Sequence, residues 1–451
     1  MTQESQLARL GLFDAKVPRY TSYPTAPHFA GGVDAGLFGQ WIEEIPEGAQ
    51  ISLYLHVPFC RRLCWFCACR TQGTSSEDPV IRYAQSLHAE LALLKRRLPK
   101  GVTLSRLHWG GGTPTMLPAD DMRRLADAIF AVVPMAEGAE FSVEIDPNDV
   151  DGARLDALAA AGMNRASIGV QDFDPLIQAA IGREQSFELT ARVVDMIRAR
   201  GIDSLNADIL YGLPHQTEAR IRDSVEKLIA LSPERVALYG YAHVPWMSRR
   251  QQLIPADAMP SAQERLSLFD TATKLFKAAG YLDIGIDHFA KPSDSMAKAQ
   301  VSGELRRNFQ GYTVDPSPVL IGLGASSISR FPQGYAQNAP ATSDYVKAVR
   351  EGQFATHRGH AFSGDDRLRG RIIEALMCDF HVSRADILRH FDILPAALDQ
   401  LLRQVTSQFE DMLILDASGL TIPAAARPLT RIIARGFDAY DQSRAKHSAA
   451  I

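Results

Sequence analysis

Four of the five cysteines fall within ten residues: Cys60, Cys64, Cys67 and Cys69, with Cys378 far away. The run from Tyr54 to Arg70 reads YLHVPFCRRLCWFCACR, so the spacing is C-x3-C-x2-C-x-C. A secreted disulfide framework needs many cysteines in a short chain, and this chain of 451 residues has few. Zinc sites usually draw ligands from two separated pairs, and no second Cys/His pair of that kind is present. Three thiolates this close can hold three irons of a [4Fe–4S] cube and leave the fourth iron open to a small molecule. A zinc knuckle or a redox C-x-x-C pair is the alternative. Cys378, inside ALMCDF, reads as a core residue.

Other residues offer chemistry near this run. Gly110, Gly111 and Gly112 carry no β-carbon, so backbone N–H groups can approach a ligand; Thr113 and Pro114 follow. A tight turn without a ligand is the plain alternative. Glu144 sits between Val143 and Ile145 in a strand pattern, where a carboxylate needs a partner or water. It suits ribose hydroxyls or an ammonium, or a structural ion pair, and Asp208 poses the same choice. Gln171 could bond a cofactor or cap the next helix. Arg165 and Arg183 are single charges, and His56 at a strand end could be structural. Arg19, Tyr20 and Tyr23 lie in VPRYTSYPTAP, a segment whose tyrosines and prolines suit a docking arm.

These residues need elements that position them. Strand-length runs occur at Ile51–His56, Leu104–Trp109, Glu140–Asp146, Asn164–Val170, Ser204–Tyr211 and Arg235–Ala242. Helical periodicity fills the intervals, at Tyr83–Leu98, Asp121–Val133, Arg154–Ala161, Glu188–Ala199 and Glu218–Ala230, and again at Ala262–Ala279. Repeated strand-then-helix order predicts right-handed crossovers and a parallel sheet. A partial α/β barrel fits it, with a doubly wound sheet as competitor. Every polar or glycine-rich candidate falls at or near the C-terminal end of a strand, where parallel α/β barrels place their sites. After about Gly359 the texture changes to short helices and a strand-like pair, the pattern of a small helical or winged-helix appendage. The net charge of −4 gives no footprint for nucleic acid or a membrane surface, and no run is long and apolar enough to span a bilayer. The start of the chain lacks a signal-peptide pattern, so a cytoplasmic protein is expected.

The motifs together resemble one family. PRYTSYPTA, HVPFC-x3-C-x2-C-x-C, HWGGGTPT, SVEIDP, GVQDF, DILYGLP, YAHVP, DHFA, RNFQGYT, GLGASSIS and YAQN occur in one order. They are similar to the oxygen-independent coproporphyrinogen III oxidases of the radical S-adenosylmethionine superfamily. The related haem-chaperone branch lacks the arm and has an aromatic residue in place of Cys69. A radical methyltransferase or a haem-degrading relative would be a further alternative. Trp65, Ala68 and Arg70 depart mildly from the family pattern.

The resemblance implies a partial (β/α)6 radical S-adenosylmethionine barrel with an N-terminal arm and a small, mainly helical C-terminal domain. The corresponding division is 1–50 arm, 51–290 barrel, 291–360 barrel extension and 361–451 C-terminal domain. It implies Cys60, Cys64 and Cys67 as ligands of a [4Fe–4S] cluster, with Cys69 nearby and not a ligand. It implies Tyr54, Phe66, Gly111 and Glu144 around one S-adenosylmethionine, and Gly112, Thr113, Gln171, Arg183, Asp208, Ala242 and Ile328 around a second. Tyr20 and His56 are candidates for catalytic roles. The implied substrate is coproporphyrinogen III, two propionates of which become vinyl groups by way of a 5′-deoxyadenosyl radical. An electron donor such as flavodoxin or ferredoxin is implied, and a monomer is the default expectation. Arg19, Arg307 and Arg330 are candidate partners for the substrate carboxylates.

Overall fold

Apolar residues at alternate positions of each strand pattern must face a helical layer, while the residues between them face the other way. The computed structural model, which describes residues 3–440 and 450, has this arrangement. Its residues group into two compact units, Met1–Phe29 with Pro260–Val314 and Phe362–Ile451, and Ala30–Met259 with Asp315–Ala361. The residues read as one arm therefore fall in both units.

The second unit is built on a single sheet. Its strands are β1 (Gln50–Val57), β2 (Thr103–Gly111), β3 (Met135–Ile145), β4 (Arg165–Gln171), β5 (Ser204–Tyr211) and β6 (Arg235–Gly240), followed by β7 (Leu320–Leu323), β8 (Ile328–Phe331), β9 (Gly334–Asn338) and β10 (Thr356–Ala361). The spatial order is β10-β9-β8-β7-β1-β2-β3-β4-β5-β6. From β7 through β6 each described pairing is parallel, and β7 to β10 form an antiparallel extension. The order from β1 to β6 never reverses, which is the winding of a barrel and excludes the doubly wound competitor. The crossovers include α1 (Asp78–Arg97), α2 (Ala119–Val132), α3 (Gly152–Ala160), α4 (Phe187–Arg198) and α5 (Glu218–Leu231). Side-chain caps at Asp151, Ser186 and Thr217 start the last three. Leu53, Leu55, Val57, Leu107, Trp109, Phe141, Val143, Ala166, Ile168 and Ile209 form the buried layer between strands and helices.

The first unit contains the helices Asp366–Asp379, Arg384–His390 and Pro395–Thr406 and a small sheet of His381–Ser383, Gly419–Thr421 and Ile414–Asp416. The N-terminal segment docks inside this unit. Tyr20 Oη donates to Asp438 at 3.0 Å, Tyr23 Oη accepts from Ala439 N at 2.9 Å, and Arg431 Nε donates to Pro18 O at 3.0 Å. Cys378 is fully buried with Ile284, Leu305 and Tyr312.

One buried carboxyl ties the extension to the barrel. Glu90 of α1 is fully enclosed and accepts from Gly324 N, Asn338 Nδ2 and Tyr345 Oη, each at 2.8 Å. Burial, only partly offset by these bonds, pushes its carboxyl up to about 7. The folded chain therefore binds this proton more tightly than the unfolded chain. The associated stability is fully present below about pH 4.5 and is lost as pH rises to about 7. Substituting Glu90→Gln should remove that slope. Denaturation midpoints from pH 4.5 to 8 should show wild type losing on the order of 3 kcal/mol more than the variant.

Candidate functional site

The cysteine loop leaves the C-terminal end of β1. Phe59–Cys60 pairs with Gln72–Gly73 and closes it at its base. Trp65 N donates to Ile181 O at 2.9 Å, and Gly182, at φ +66, leaves room for the Trp65 ring: a β-carbon there would lie 2.8 Å from it. Trp65 and Phe66 pack on Ile177, Ile181, Leu210, Leu213, Tyr241 and Ile254. The segment after β6 clamps the other side. Gln251 is buried, and its Nε2 donates to Phe66 O at 2.7 Å and Ala242 O at 3.1 Å, while its Oε1 accepts from Val244 N. Ser248 Oγ donates to Cys67 O at 3.1 Å, and Arg250 Nη2 donates to Cys69 O at 3.2 Å.

All the cysteines are free thiols, and Cys60, Cys64 and Cys67 are half-buried. Burial pushes the Cys60 thiol up to about 12 and also raises Cys64, against the pull of Arg183, whose Nη1 lies 3.5 Å from Cys64 Sγ. Cys67 is held below its ordinary value, chiefly by the neighbouring Cys69, whose backbone N–H donates to Cys67 Sγ at 3.4 Å, with Arg250 and Arg183 adding to the effect. The same neighbour raises Cys69.

The glycine turn at the end of β2 lies against β1 and β3. A β-carbon on Gly110 would meet Glu144 Oε1 at 2.6 Å, one on Gly111 the His56 ring at 2.6 Å, and one on Gly112 Phe59 O at 2.4 Å and Cys60 Sγ at 3.0 Å. Only glycine leaves this cradle open. Thr113 is buried, and its N–H donates to Phe59 O at 2.7 Å. Glu144 accepts from Gly111 N at 3.1 Å and lies 3.2 Å from His108 Nε2. Burial alone would raise its carboxyl, but His108, the Gly111 N–H and His56 outweigh it and hold the group below its ordinary value. About 41% of the Glu144 side chain stays accessible. Tyr54 stacks on His108 with centroids 5.7 Å apart, and its Oη lies 2.9 Å from His56 Nδ1. Burial raises the Tyr54 phenol and lowers the His56 imidazole, so both stay neutral.

Further round the strand ends, Gln171 has φ +69 at a register shift between β4 and β5, a left-handed backbone that costs about 1–2 kcal/mol for a residue with a β-carbon. Its Nε2 and Arg183 Nη2 both crowd the open side of Gly169. Arg183 Nη1 donates to Asp146 at 2.9 Å and its Nη2 to Gly169 O at 2.9 Å; its buried Nε has no partner among the described residues. Asp208 accepts from Asn206 Nδ2 at 2.9 Å. Ala242 is held by Gln251, and Ile328 opens β8, where its carbonyl lies 2.8 Å from the β-carbon position of Gly322, the register partner of Tyr54. These candidates all belong to the second unit, whereas Tyr20 belongs to the first, where burial and Asp438 raise its phenol. Arg19 and Arg307 are also in the first unit, and Arg330 lies in β8 opposite Tyr335.

The donor set fits an iron–sulfur cluster with S-adenosylmethionine. Three free thiols share one anchored loop, beside a cradle that any β-carbon would fill and a carboxylate suited to an ammonium or to hydroxyls. Sequence reasoning passed over His108, Ser142, Asn206 and Gln251. His108 Nδ1 lies 2.6 Å from Ser142 Oγ, and Asn206 Nδ2 donates to Ser167 Oγ at 2.9 Å. The usable signal was the alternate polar position within each strand; Gln251 had none. Replacing Gln251→Leu strands one buried and two part-buried backbone groups, at about 1–3 kcal/mol for the buried one and less for the others. Iron and sulfide per chain after anaerobic reconstitution should fall by about half or more, as measured by metal analysis.

Residues 54–228 match the Radical SAM superfamily model. The chain is 65% identical over 451 residues, covering 100% of both chains, to the oxygen-independent coproporphyrinogen III oxidase of Paracoccus denitrificans. It is 36% identical over 442 residues to the protein of that name from Escherichia coli, covering 98% of this chain and 96% of the relative. A solved structure of coproporphyrinogen III oxidase (HemN) from Escherichia coli, described as a radical SAM enzyme, superposes with a TM-score of 0.88 at 35% identity, covering 95% of this chain and 100% of that one. The chain therefore belongs to the oxygen-independent coproporphyrinogen III oxidase family of the radical S-adenosylmethionine superfamily.

Proposed function

We propose that the chain carries out the oxygen-independent oxidative decarboxylation of coproporphyrinogen III, turning two of its four propionates into vinyl groups and yielding protoporphyrinogen IX for haem biosynthesis. Full-length likeness to a relative named for that activity carries the reading. When bound, the cluster and S-adenosylmethionine supply an electron and a carbon-centred radical, because no side-chain base removes an unactivated β-hydrogen near neutral pH.

The protein's part is placement. Cys60, Cys64 and Cys67 hold the cluster, and the Trp65–Phe66 anchor and the Gln251 clamp keep that loop in place. Gly110–Gly112 leave room for the methionyl group, and Glu144, kept charged by His108 and the Gly111 N–H, accepts from an ammonium or from ribose hydroxyls. Tyr54 and Phe66 flank the same ligand. Neutral His56 bridges Tyr54 and the Arg70 carbonyl and orients that wall. Gly112, Thr113, Gln171, Arg183, Asp208, Ala242 and Ile328 form a second S-adenosylmethionine site, a reading supported by the strained backbone of Gln171. The electron that starts each turnover comes from an external donor of the flavodoxin or ferredoxin type, and each propionate, once it has lost a hydrogen atom, gives up CO2 and one electron to an acceptor. Among the described residues no helix is long and apolar enough to cross a membrane; on this reading the chain works in the cytoplasm as a monomer.

Reconstituted anaerobically and given reductant, S-adenosylmethionine and coproporphyrinogen III, the chain should form a product lighter by two CO2 and four hydrogens, together with 5′-deoxyadenosine; Cys67→Ala should form neither. Cofactor cleavage that leaves coproporphyrinogen intact would remove the substrate reading. Equilibrium dialysis should find about two S-adenosylmethionine molecules per chain, falling to about one in Asp208→Ala. A single molecule bound by the unmodified chain would remove the second site.

A further inference from the structure

Arginines near the site are mostly paired. Arg61 meets Asp149 at 2.8 Å, Arg183 meets Asp146 at 2.9 Å, and Arg106 and Arg165 share Glu140 at 2.6 and 2.8 Å. Arg70 and Arg358 differ: among the described residues neither has a carboxylate partner. A short chain of contacts runs along one rim from the Arg70 backbone to the Arg358 side chain. His56 Nε2 lies 3.4 Å from Arg70 O and 3.5 Å from Ser326 Oγ. Gln337 Nε2 donates to Ser326 O at 3.1 Å, and Arg358 Nε donates to Gln337 Oε1 at 2.7 Å. The amide thus fixes the Arg358 fork and leaves its terminal N–H groups for something else. Burial, and then the Arg70 charge, hold the Arg358 guanidinium below its ordinary value. Two like charges without a counter-ion cost free energy that an anionic ligand would recover. In a chain of net charge −4 this cationic rim is a local feature. It adjoins the cradle, since the same His56 ring closes against Gly111.

We propose that Arg70 and Arg358 clamp a carboxylate of the tetrapyrrole substrate, holding one propionate beside the glycine cradle; this rests on the coproporphyrinogen reading above. The ligand's charge selects it. S-adenosylmethionine carries one carboxylate against a sulfonium and an ammonium, a net positive charge that two guanidinium groups repel, whereas coproporphyrinogen carries four carboxylates and no cation. Arg is suited to the task because its planar fork pairs with a carboxylate through two hydrogen bonds.

The test is steady-state kinetics under anaerobic conditions at matched iron content, with KM and kcat for coproporphyrinogen III and for S-adenosylmethionine. The unmodified chain is compared with Arg70→Met, Arg358→Met, the double variant and Arg358→Lys. Each single methionine variant should raise KM for coproporphyrinogen about tenfold, with the larger effect on KM and the smaller on kcat, and the lysine variant should recover part of the loss. The KM for S-adenosylmethionine should not move. Fluorescence titration with coproporphyrin III, a stable tetracarboxylate, should show the same weakening, and exposed Arg70 decides the matter if Arg358→Met does not fold. A double variant that keeps the coproporphyrinogen KM and the coproporphyrin affinity overturns the clamp. So does a rise confined to the KM for S-adenosylmethionine. If the unmodified chain does not turn over coproporphyrinogen at all, the substrate reading falls first and the clamp falls with it.

Discussion

The close approach of three backbone segments at the mouth of the sheet is the constraint on which the rest depends. In the parallel register of β1 and β2, His56 lies opposite Gly110 and Val57 opposite Gly111. With that register, Gly110 faces Glu144, Gly111 faces the His56 ring and Gly112 faces Phe59 O, each closer than a β-carbon could tolerate. The cradle, the carboxylate and the first cysteine of the loop are therefore set by one register. A slip of β1 by one residue would turn Tyr54 and His56 toward the helices and bring Leu55 and Val57 into the cavity.

The same alternation divides the labour of every strand. One face supplies Leu53, Leu107, Phe141, Ala166 and Ile209 to the buried layer. The other face carries Tyr54, His108, Ser142, Glu144, Ser167, Asn206 and Asp208; Tyr54 stacks on His108, and hydrogen bonds join β2 to β3 and β4 to β5. This polar lining fixes protonation as well as position. Glu144 stays charged because His108 and a backbone N–H face it, while Tyr54 and His56 stay neutral because burial penalises their ions.

Much of this was legible in the sequence, for reasons that differ by element. The strands from β1 to β6 announce themselves through period-two alternation and the helices between them through the 3.6-residue repeat, so most appear close to their expected bounds, although β3 begins at Met135 and not at Glu140, and α1 at Asp78 and not at Tyr83. The thiol loop is legible because its chemistry lies in a local spacing. The antiparallel extension is not: β7 to β10 are short and broken by Gly322, Gly324, Gly334 and Gly359, and their pairing is decided by partners far away in sequence. Gln251 is an ordinary residue type in a loop, and its importance comes only from burial against Phe66 and Ala242. Arg70 and Arg358 are likewise invisible as a pair, because 288 residues separate them along the chain.

The central claim is that Cys60, Cys64 and Cys67 hold a four-iron cluster with one iron open to S-adenosylmethionine. Electron–nuclear double resonance on the anaerobically reconstituted, reduced chain addresses it directly, using S-adenosylmethionine labelled with 15N and 17O in its methionyl amine and carboxylate. The account predicts coupling of both labels to the cluster in the unmodified chain and no four-iron signal in Cys64→Ala. A fully formed cluster that shows no coupling to either label, or that survives loss of Cys64, would contradict it.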